Sequence, residues 1–231
     1  MLERSATTGQ QKGYIIPFMT KKTSVQAGLR NDPIQVRAKN TVAKILAAAI
    51  TLLREGGPEA LTTSALAKST SLHIRNVYRY FPNRLAIFAA LAERLNQRIE
   101  ELLAGFDESL STDSDWRQLI SLMIDNLVAL GSQEPALTQI RSAMRASPEL
   151  QVLELESDKR IAAQLANALE KRGIKLDRKT LEIKVFVLVT AIGAMLDRVL
   201  LDESQDRDSV LRELKLLAQS YFENVIDVKD R

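Results

Sequence analysis

The sequence predicts an all-α protein, and three observations favour this fold class. The 231 residues include only 9 Gly and 6 Pro, so few breaks between elements are expected. No stretch alternates convincingly between apolar and polar residues with the period of two that marks a half-buried strand. Apolar residues instead recur every three or four positions along most of the chain, as they do on one face of a helix. We therefore expect about nine helices.

Composition argues against several classes of chemistry. The chain has no cysteine, which rules out disulfides and thiolates, and its single histidine makes a transition-metal site improbable. It has no glycine-rich phosphate loop and no nucleophile motif, so we predict no catalytic residue, no metal and no cofactor. The longest uncharged run, residues 185–196, is shorter than the roughly 20 apolar residues of a membrane span. A cytoplasmic, nucleoid-associated protein is expected.

The charge of the chain is divided between its two parts. Residues 1–84 hold 13 Lys and Arg against 4 Asp and Glu, whereas residues 85–231 hold 19 against 25. A basic end is expected of a protein that binds nucleic acid, because phosphates attract it. We predict a flexible basic tail (1–36), a DNA-binding domain (37–84) and an acidic domain with another task (85–231).

The tail can be interpreted in two ways. Residues 1–36 mix Gly, Gln, Thr and Lys without periodicity, as disordered segments do. The segment is either a dispensable extension, with the true start at Met19, or a basic arm. In an arm, Lys21, Lys22 and Arg30 would reach the minor groove or phosphates. Whether residues 1–18 belong to the native product is not decided by the sequence.

A helix-turn-helix motif is predicted at residues 61–84. A helix over 36–55 comes first and is ended by two glycines and a proline. Thr62 can then cap a short helix, and a run of Ser and Thr interrupts it. A second helix begins near His73 and stops before Pro82, because the residue preceding a proline avoids helical geometry. Two short helices joined by a short turn form this motif.

The second helix of the motif carries side chains suited to DNA. Arg and Asn can read base edges, whereas Tyr hydroxyls and Arg can hold phosphates. The alternative is an ordinary helical hairpin with a solvated polar face. The predicted DNA-contacting residues are Thr62, Thr63, His73, Arg75, Asn76, Tyr78, Arg79, Tyr80 and Arg84.

Six further helices are predicted after the motif. A loop is expected over 105–114, where GFDESLSTDS has no apolar stripe. Helix boundaries follow apolar periodicity, with Pro148 at a helix start and Gly173 at a helix end. The expected ranges are 85–106, 115–130, 136–146, 148–172, 178–201 and 209–228.

The helix at 178–201 suggests a homodimer. A helix that is apolar around most of its circumference must be buried on most sides, and a second subunit could supply that cover. Ala191, Gly193 and Ala194 are small enough to allow close helix approach. We expect residues 178–228 to pair as a four-helix bundle; the alternative is a core helix of a monomer.

A small-molecule pocket is a further hypothesis for residues 115–200. Apolar and aromatic side chains at helical spacing could line it and would suit an apolar or aromatic effector; plain core packing is the alternative. The candidate lining residues are Trp116, Met123, Met144, Phe186 and Met195.

The motif region resembles the tetracycline-repressor (TetR/AcrR) family. The resemblance covers roughly residues 40–90. It rests on Ile45-Leu46, Ala48-Ala49, Leu52-Leu53, Gly57, Thr62, Leu66-Ala67, Leu72, Val77-Tyr78, Tyr80-Phe81 and Arg84. It implies a homodimeric repressor whose carboxy-terminal domain binds an effector and whose last two helices dimerise. It also implies phosphate contacts by Thr62, Tyr78 and Tyr80.

Four positions depart from the family pattern. Ser71 stands where glycine is usual in the turn, which implies some strain or a modified turn, because glycine suits a left-handed conformation. His73 stands where Ser or Thr usually caps the recognition helix, and Arg75 replaces a small residue. Arg84 stands where Lys is usual. The operator sequence is therefore not implied by the family. The remaining functional alternative is a DNA-bound interaction protein of the same fold, such as a chromosome-organising or cell-division regulator without an effector.

Overall fold

The described part of the chain consists of ten helices. A computed structural model describes residues 36–112, 115–134, 136–201 and 206–226. The helices are α1 (Val36–Ala60), α2 (Thr63–Thr70), α3 (Ile74–Tyr80), α4 (Arg84–Ala104), α5 (Asp107–Ser111), α6 (Trp116–Gln133), α7 (Leu137–Ala146), α8 (Pro148–Lys171), α9 (Arg178–Leu201) and α10 (Arg207–Ile226). The all-α prediction is confirmed, whereas the predictions for tail residues 1–35 lie outside the described residues.

The boundaries differ from the expected ones in three main places. Helix α6 continues through residues 131–133, where a break was expected. The expected loop after α4 contains the short helix α5, because Leu110 turns inward and is buried. Helix α1 extends as far as Ala60 but is kinked at Gly57, whose φ of 68° lies in the left-handed region. A glycine adopts that conformation without a steric penalty, so the first helical axis ends close to where the sequence predicted.

The first of two hydrophobic cores joins α1–α4 to α7. Ile45, Leu53, Phe81 and Ile87 are fully buried in it. Met144 of α7 is also fully buried there, so α7 packs with the helix-turn-helix region and contacts both α1 and α4. This packing places a helix from residues 137–146 against the amino-terminal domain.

The second core lies among the end of α4 and helices α5, α6, α8, α9 and α10. Trp116 and Phe222 meet in it with ring centroids 5.5 Å apart. Helices α8 and α9 are antiparallel neighbours, since Arg178 bonds the carbonyl of Ala163 while Thr190 bonds Asp158. No described helix has the length and apolar character needed to cross a membrane.

Candidate DNA-binding surface and internal cavity

Local caps shape the helix-turn-helix as the sequence predicted. Thr62 Oγ1 accepts a hydrogen bond from the Ala65 amide at 3.1 Å, which starts α2. Ser71 ends α2 with φ 56° and ψ 28°, the left-handed conformation expected for this position. His73 Nδ1 accepts from the Arg75 amide at 3.2 Å and begins α3. The only histidine of the chain therefore has a structural role at the start of the recognition helix.

The exposed face of α3 carries most of the predicted DNA-contacting side chains. His73, Arg75, Asn76, Tyr78 and Arg79 are all exposed. The hydroxyl of Thr63 donates to the Tyr78 hydroxyl at 3.0 Å, so α2 holds the ring of the recognition-helix tyrosine. The predicted residues from both helices of the motif thus form one polar surface.

Two of the predicted DNA-contacting residues make contacts within the protein. Tyr80 is only 7% exposed and packs in the first core, so its side chain does not lie on the polar surface. It lies three positions from buried Val77, on the same helix face, and this spacing was the signal for burial. Arg84 is exposed but bonds the Pro58 carbonyl and Glu59, each at 3.3 Å. It ties the end of α1 to the start of α4.

Sequence reasoning missed Ile74. This side chain is 37% exposed in the first turn of α3, between His73 and Arg75. Apolar side chains at such a position can contact the methyl group of thymine. Its position in the sequence, next to the polar residues of the recognition helix, was the signal that could have identified Ile74.

A cavity of about 710 Å³, partly open to solvent, lies in the bundle among α4, α6, α7, α8 and α9. Cavities of about 300–1,000 Å³ are typical of small-molecule sites. Met123 and Phe186 line it, as the sequence hypothesis proposed. The greater part of its wall is aliphatic, with contributions from Ile120, Ile124, Ile161, Leu165, Leu169 and Val185.

Three of the five proposed lining residues lie elsewhere. Trp116 packs on Phe222 and lies under the Arg117 guanidinium, Met144 belongs to the first core, and Met195 is 39% exposed. Apolar spacing did not separate the two cores for Met144, did not distinguish packed from cavity-lining positions for Trp116, and marked the exposed Met195 as inward-facing. Leucines and isoleucines of α6 and α8 line the cavity instead.

One end of the cavity is charged. Arg141 of α7 pairs with Glu154 at 2.7 Å and with Asp197 at 3.3 Å, and Arg145 pairs with Asp197 at 2.9 Å. Asp158 accepts a hydrogen bond from the Thr190 hydroxyl at 2.8 Å. Burial raises the pKa of Glu154 and of Asp158 above their ordinary values, and the Arg141 charge opposes both shifts. The described residues contain no group of three or more His, Cys, Asp or Glu side chains able to hold a metal ion.

Helices α9 and α10 expose apolar side chains. Ile183 and Val187 of α9 are 54% and 46% exposed, and Leu216 and Leu217 of α10 are more so. Gly193 is also exposed and borders the cavity, and a Cβ added there meets open space. Exposed leucines and β-branched residues on adjacent helices are typical of an interface.

Comparisons with known proteins agree with this architecture. Residues 45–91 match the family model described as bacterial regulatory proteins of the tetR family, and residues 115–222 match the tetracyclin repressor-like C-terminal domain. The nucleoid occlusion factor SlmA of Haemophilus influenzae is 26% identical over 127 residues, which cover 54% of this chain and 57% of that protein. The match therefore spans little more than half of the relative.

Solved structures share the fold. A TetR-family regulator from Mesorhizobium loti aligns with a TM-score of 0.66 at 15% identity, over 82% of this chain and 98% of that one. SmeT, the repressor of a multidrug efflux pump of Stenotrophomonas maltophilia, aligns with a TM-score of 0.59 at 20% identity, over 82% and 91%. Both domain matches and the helix-turn-helix geometry lead to one conclusion: the chain belongs to the TetR family of DNA-binding transcriptional regulators.

Proposed function

We propose that the protein is a homodimeric repressor that a small-molecule effector releases from its operator. The observation that carries this proposal is the 710 Å³ cavity in the bundle attached to the helix-turn-helix domain. A filled core would have favoured a DNA-bound protein without an effector. Since proteins pack their interiors densely, a cavity of this size supports a ligand-binding role.

Arg75 and Asn76 read base edges in the major groove, and Tyr78, Thr62 and Arg79 hold phosphates. Their exposure on one surface supports this division of roles. Thr63 orients Tyr78 through their hydrogen bond. Ile74 adds an apolar contact with a thymine methyl group. A good bidentate base contact contributes about 1–3 kcal/mol of discrimination.

Dimerisation occurs through α9 and α10. The exposed apolar side chains Ile183, Val187, Leu216 and Leu217 become buried against their copies in a four-helix bundle. A dimer places two recognition helices in successive major grooves, about 34–36 Å apart.

Helix α7 couples effector binding in the cavity to DNA binding by the helix-turn-helix domain. Its apolar face packs against α1 and α4, while Arg141 and Arg145 extend to the charged end of the cavity. An effector that binds best when α7 is displaced changes the spacing of the two recognition helices. By linkage, that effector weakens operator binding to the same extent that the operator weakens effector binding.

The test is a binding titration of wild type, Arg75→Ala and Arg94→Ala against operator and scrambled duplexes. Chromosomal binding sites mapped by crosslinking and sequencing supply the operator. Arg75→Ala should lower the ratio of operator to scrambled affinity about tenfold or more, since each half-site loses one base contact. Arg94→Ala removes an equally charged, exposed side chain from α4, outside the proposed dimer surface, and should leave that ratio unchanged. An unchanged ratio in Arg75→Ala would remove Arg75 from the base readers.

A second candidate is a nucleoid-associated interaction protein without an effector. The similarity to a protein named nucleoid occlusion factor favours it. The same chromosomal map separates the two functions. Binding confined to a few promoters supports the repressor, whereas many sites spread around the chromosome support the second candidate.

A further inference from the structure

The cavity changes in polarity along its length. Helix α8 follows it from Asp158 to Leu169, a rise of roughly 16 Å at 1.5 Å per residue. Glu154 and Asp158 lie at one end, and Ile161, Leu165 and Leu169 line the rest. Because α9 is antiparallel, its Asp197 and Thr190 fall at the same charged end. A ligand that matches this wall has one polar end and an apolar body.

The charged end contains one carboxylate that no ion pair satisfies. Glu154 and Asp197 each pair with an arginine. Asp158 has only the Thr190 hydroxyl, and within the described ranges no cationic side chain lies within 4.0 Å of it. A carboxylate can accept about four hydrogen bonds, so Asp158 keeps acceptor capacity for a ligand.

Two of the arginines that line this end are engaged in ion pairs. Arg141 and Arg145 of α7 face acidic partners, and Arg198 of α9 also borders the cavity, so an anionic ligand would meet three carboxylates and compete with them for these arginines. The Nε atom of Arg141 is buried and lies 3.3 Å from Asp197 Oδ1, an ion pair without hydrogen-bond geometry.

We propose that the effector is an amphiphilic cation, whose positively charged nitrogen lies against Asp158 and whose apolar body lies along Ile161, Leu165 and Leu169. The inference rests on the proposed function, because it names the ligand class of the same cavity. A partly buried carboxylate favours a nearby opposite charge, which offsets the loss of hydration. Desolvation raises the pKa of Asp158, and the Thr190 hydrogen bond and the Arg141 charge oppose this shift only in part.

The experiment compares three probes with the same eight-carbon body by calorimetry of the full chain at pH 7.5: octylammonium, octanoate and octan-1-ol. Octylammonium should bind at least tenfold more tightly than the other two. Asp158→Asn should reduce this preference at least fivefold, whereas Glu156→Gln, which removes an exposed acidic charge from the same helix, should retain it. Leu165→Trp fills the apolar end and should weaken all three probes alike.

Equal or tighter binding of octanoate or octan-1-ol overturns the inference, as does an unchanged preference in Asp158→Asn or the absence of binding by every probe. Anisotropy of labelled operator separates this failure from that of the repressor model. If octylammonium binds without releasing DNA, the ligand class stands and effector-controlled release fails. If an anionic or neutral compound releases DNA, and Leu165→Trp abolishes the release, the repressor stands and the cation inference fails.

Discussion

At the scale of single residues, Ser71 is the most strained position of the helix-turn-helix. It is the only non-glycine residue with positive φ among the described residues. A left-handed conformation costs an L-residue about 1–2 kcal/mol, and glycine avoids this while losing about 0.5–1 kcal/mol of chain entropy. Ser71→Gly should therefore raise the free energy of unfolding by about 0.5–1 kcal/mol in urea titrations.

Ser71→Ala is the matched control, because alanine keeps the steric penalty of a Cβ. The alanine variant should not show the increase in the free energy of unfolding that we expect for Ser71→Gly. Equal stability of the glycine and alanine variants would mean that the turn is not strained at this position.

The two tyrosines of α3 make a second comparison at this scale. Tyr78 is 41% exposed and hydrogen-bonded to Thr63, whereas Tyr80 is 7% exposed. Tyr78→Phe should weaken binding to operator and scrambled duplexes by a similar factor, since phosphate contacts carry no sequence information. Tyr80→Phe should leave both affinities within about twofold of wild type. Anisotropy titrations of both variants check this, and a loss in Tyr80→Phe alone would reverse the assignment.

At the scale of elements, long amphipathic helices could be predicted from the sequence, and the short one could not. Helices α8 and α9 have several turns of apolar periodicity and clear ends, so their bounds agree closely with expectation. Helix α5 has five residues, too few for a periodic pattern, and forms because Leu110 is buried by its neighbours. The cavity lies in the expected region, but only two of the five predicted residues line it. Apolar periodicity shows which helix faces are buried, and it does not show where two buried faces leave a space between them.

Helix α7 supports a prediction about stability. Replacing Arg141 by Met leaves Glu154 unpaired at a partly buried site. Breaking a fully buried pair costs about 3–5 kcal/mol, and because Glu154 is a third exposed we expect about 1–3 kcal/mol at pH 7. Arg145→Met should lower the free energy of unfolding by less, because the Arg145 side chain is 48% exposed. Urea denaturation of both variants gives the comparison.

The stability loss of the Arg141→Met variant should depend on pH in a defined direction. Burial already raises the pKa of Glu154, and removing Arg141 removes an effect that lowers it. An acid with a higher pKa in the folded state binds more protons folded than unfolded. Its contribution to stability therefore falls as pH rises from about 4.5 through the folded pKa. The loss caused by Arg141→Met should be smaller at pH 5 than at pH 7; a loss independent of pH would indicate a packing defect.

At the scale of the whole molecule, the basic charge and the exposed apolar surface lie in different parts of the chain. The basic amino-terminal part carries the recognition helix, and the acidic remainder carries the exposed side chains of α9 and α10. A single seven-residue recognition helix offers few base contacts, so we expect two copies to bind a specific site together. Operator affinity should therefore depend on the α9 and α10 surface, although that surface touches no DNA.

Val187→Arg tests this dependence. A charged side chain on the 46% exposed position of α9 would have to be buried without a partner in the dimer, which opposes association. Sedimentation at micromolar concentration should show a monomer, and operator affinity should fall at least tenfold, because one protein then engages one half-site at a time. Leu122→Arg places the same charge on a 48% exposed position of α6 and should remain dimeric with unchanged operator binding. A Val187→Arg protein that stays dimeric would place the interface elsewhere. One that is monomeric but binds operator as tightly as wild type would show that a single recognition helix suffices.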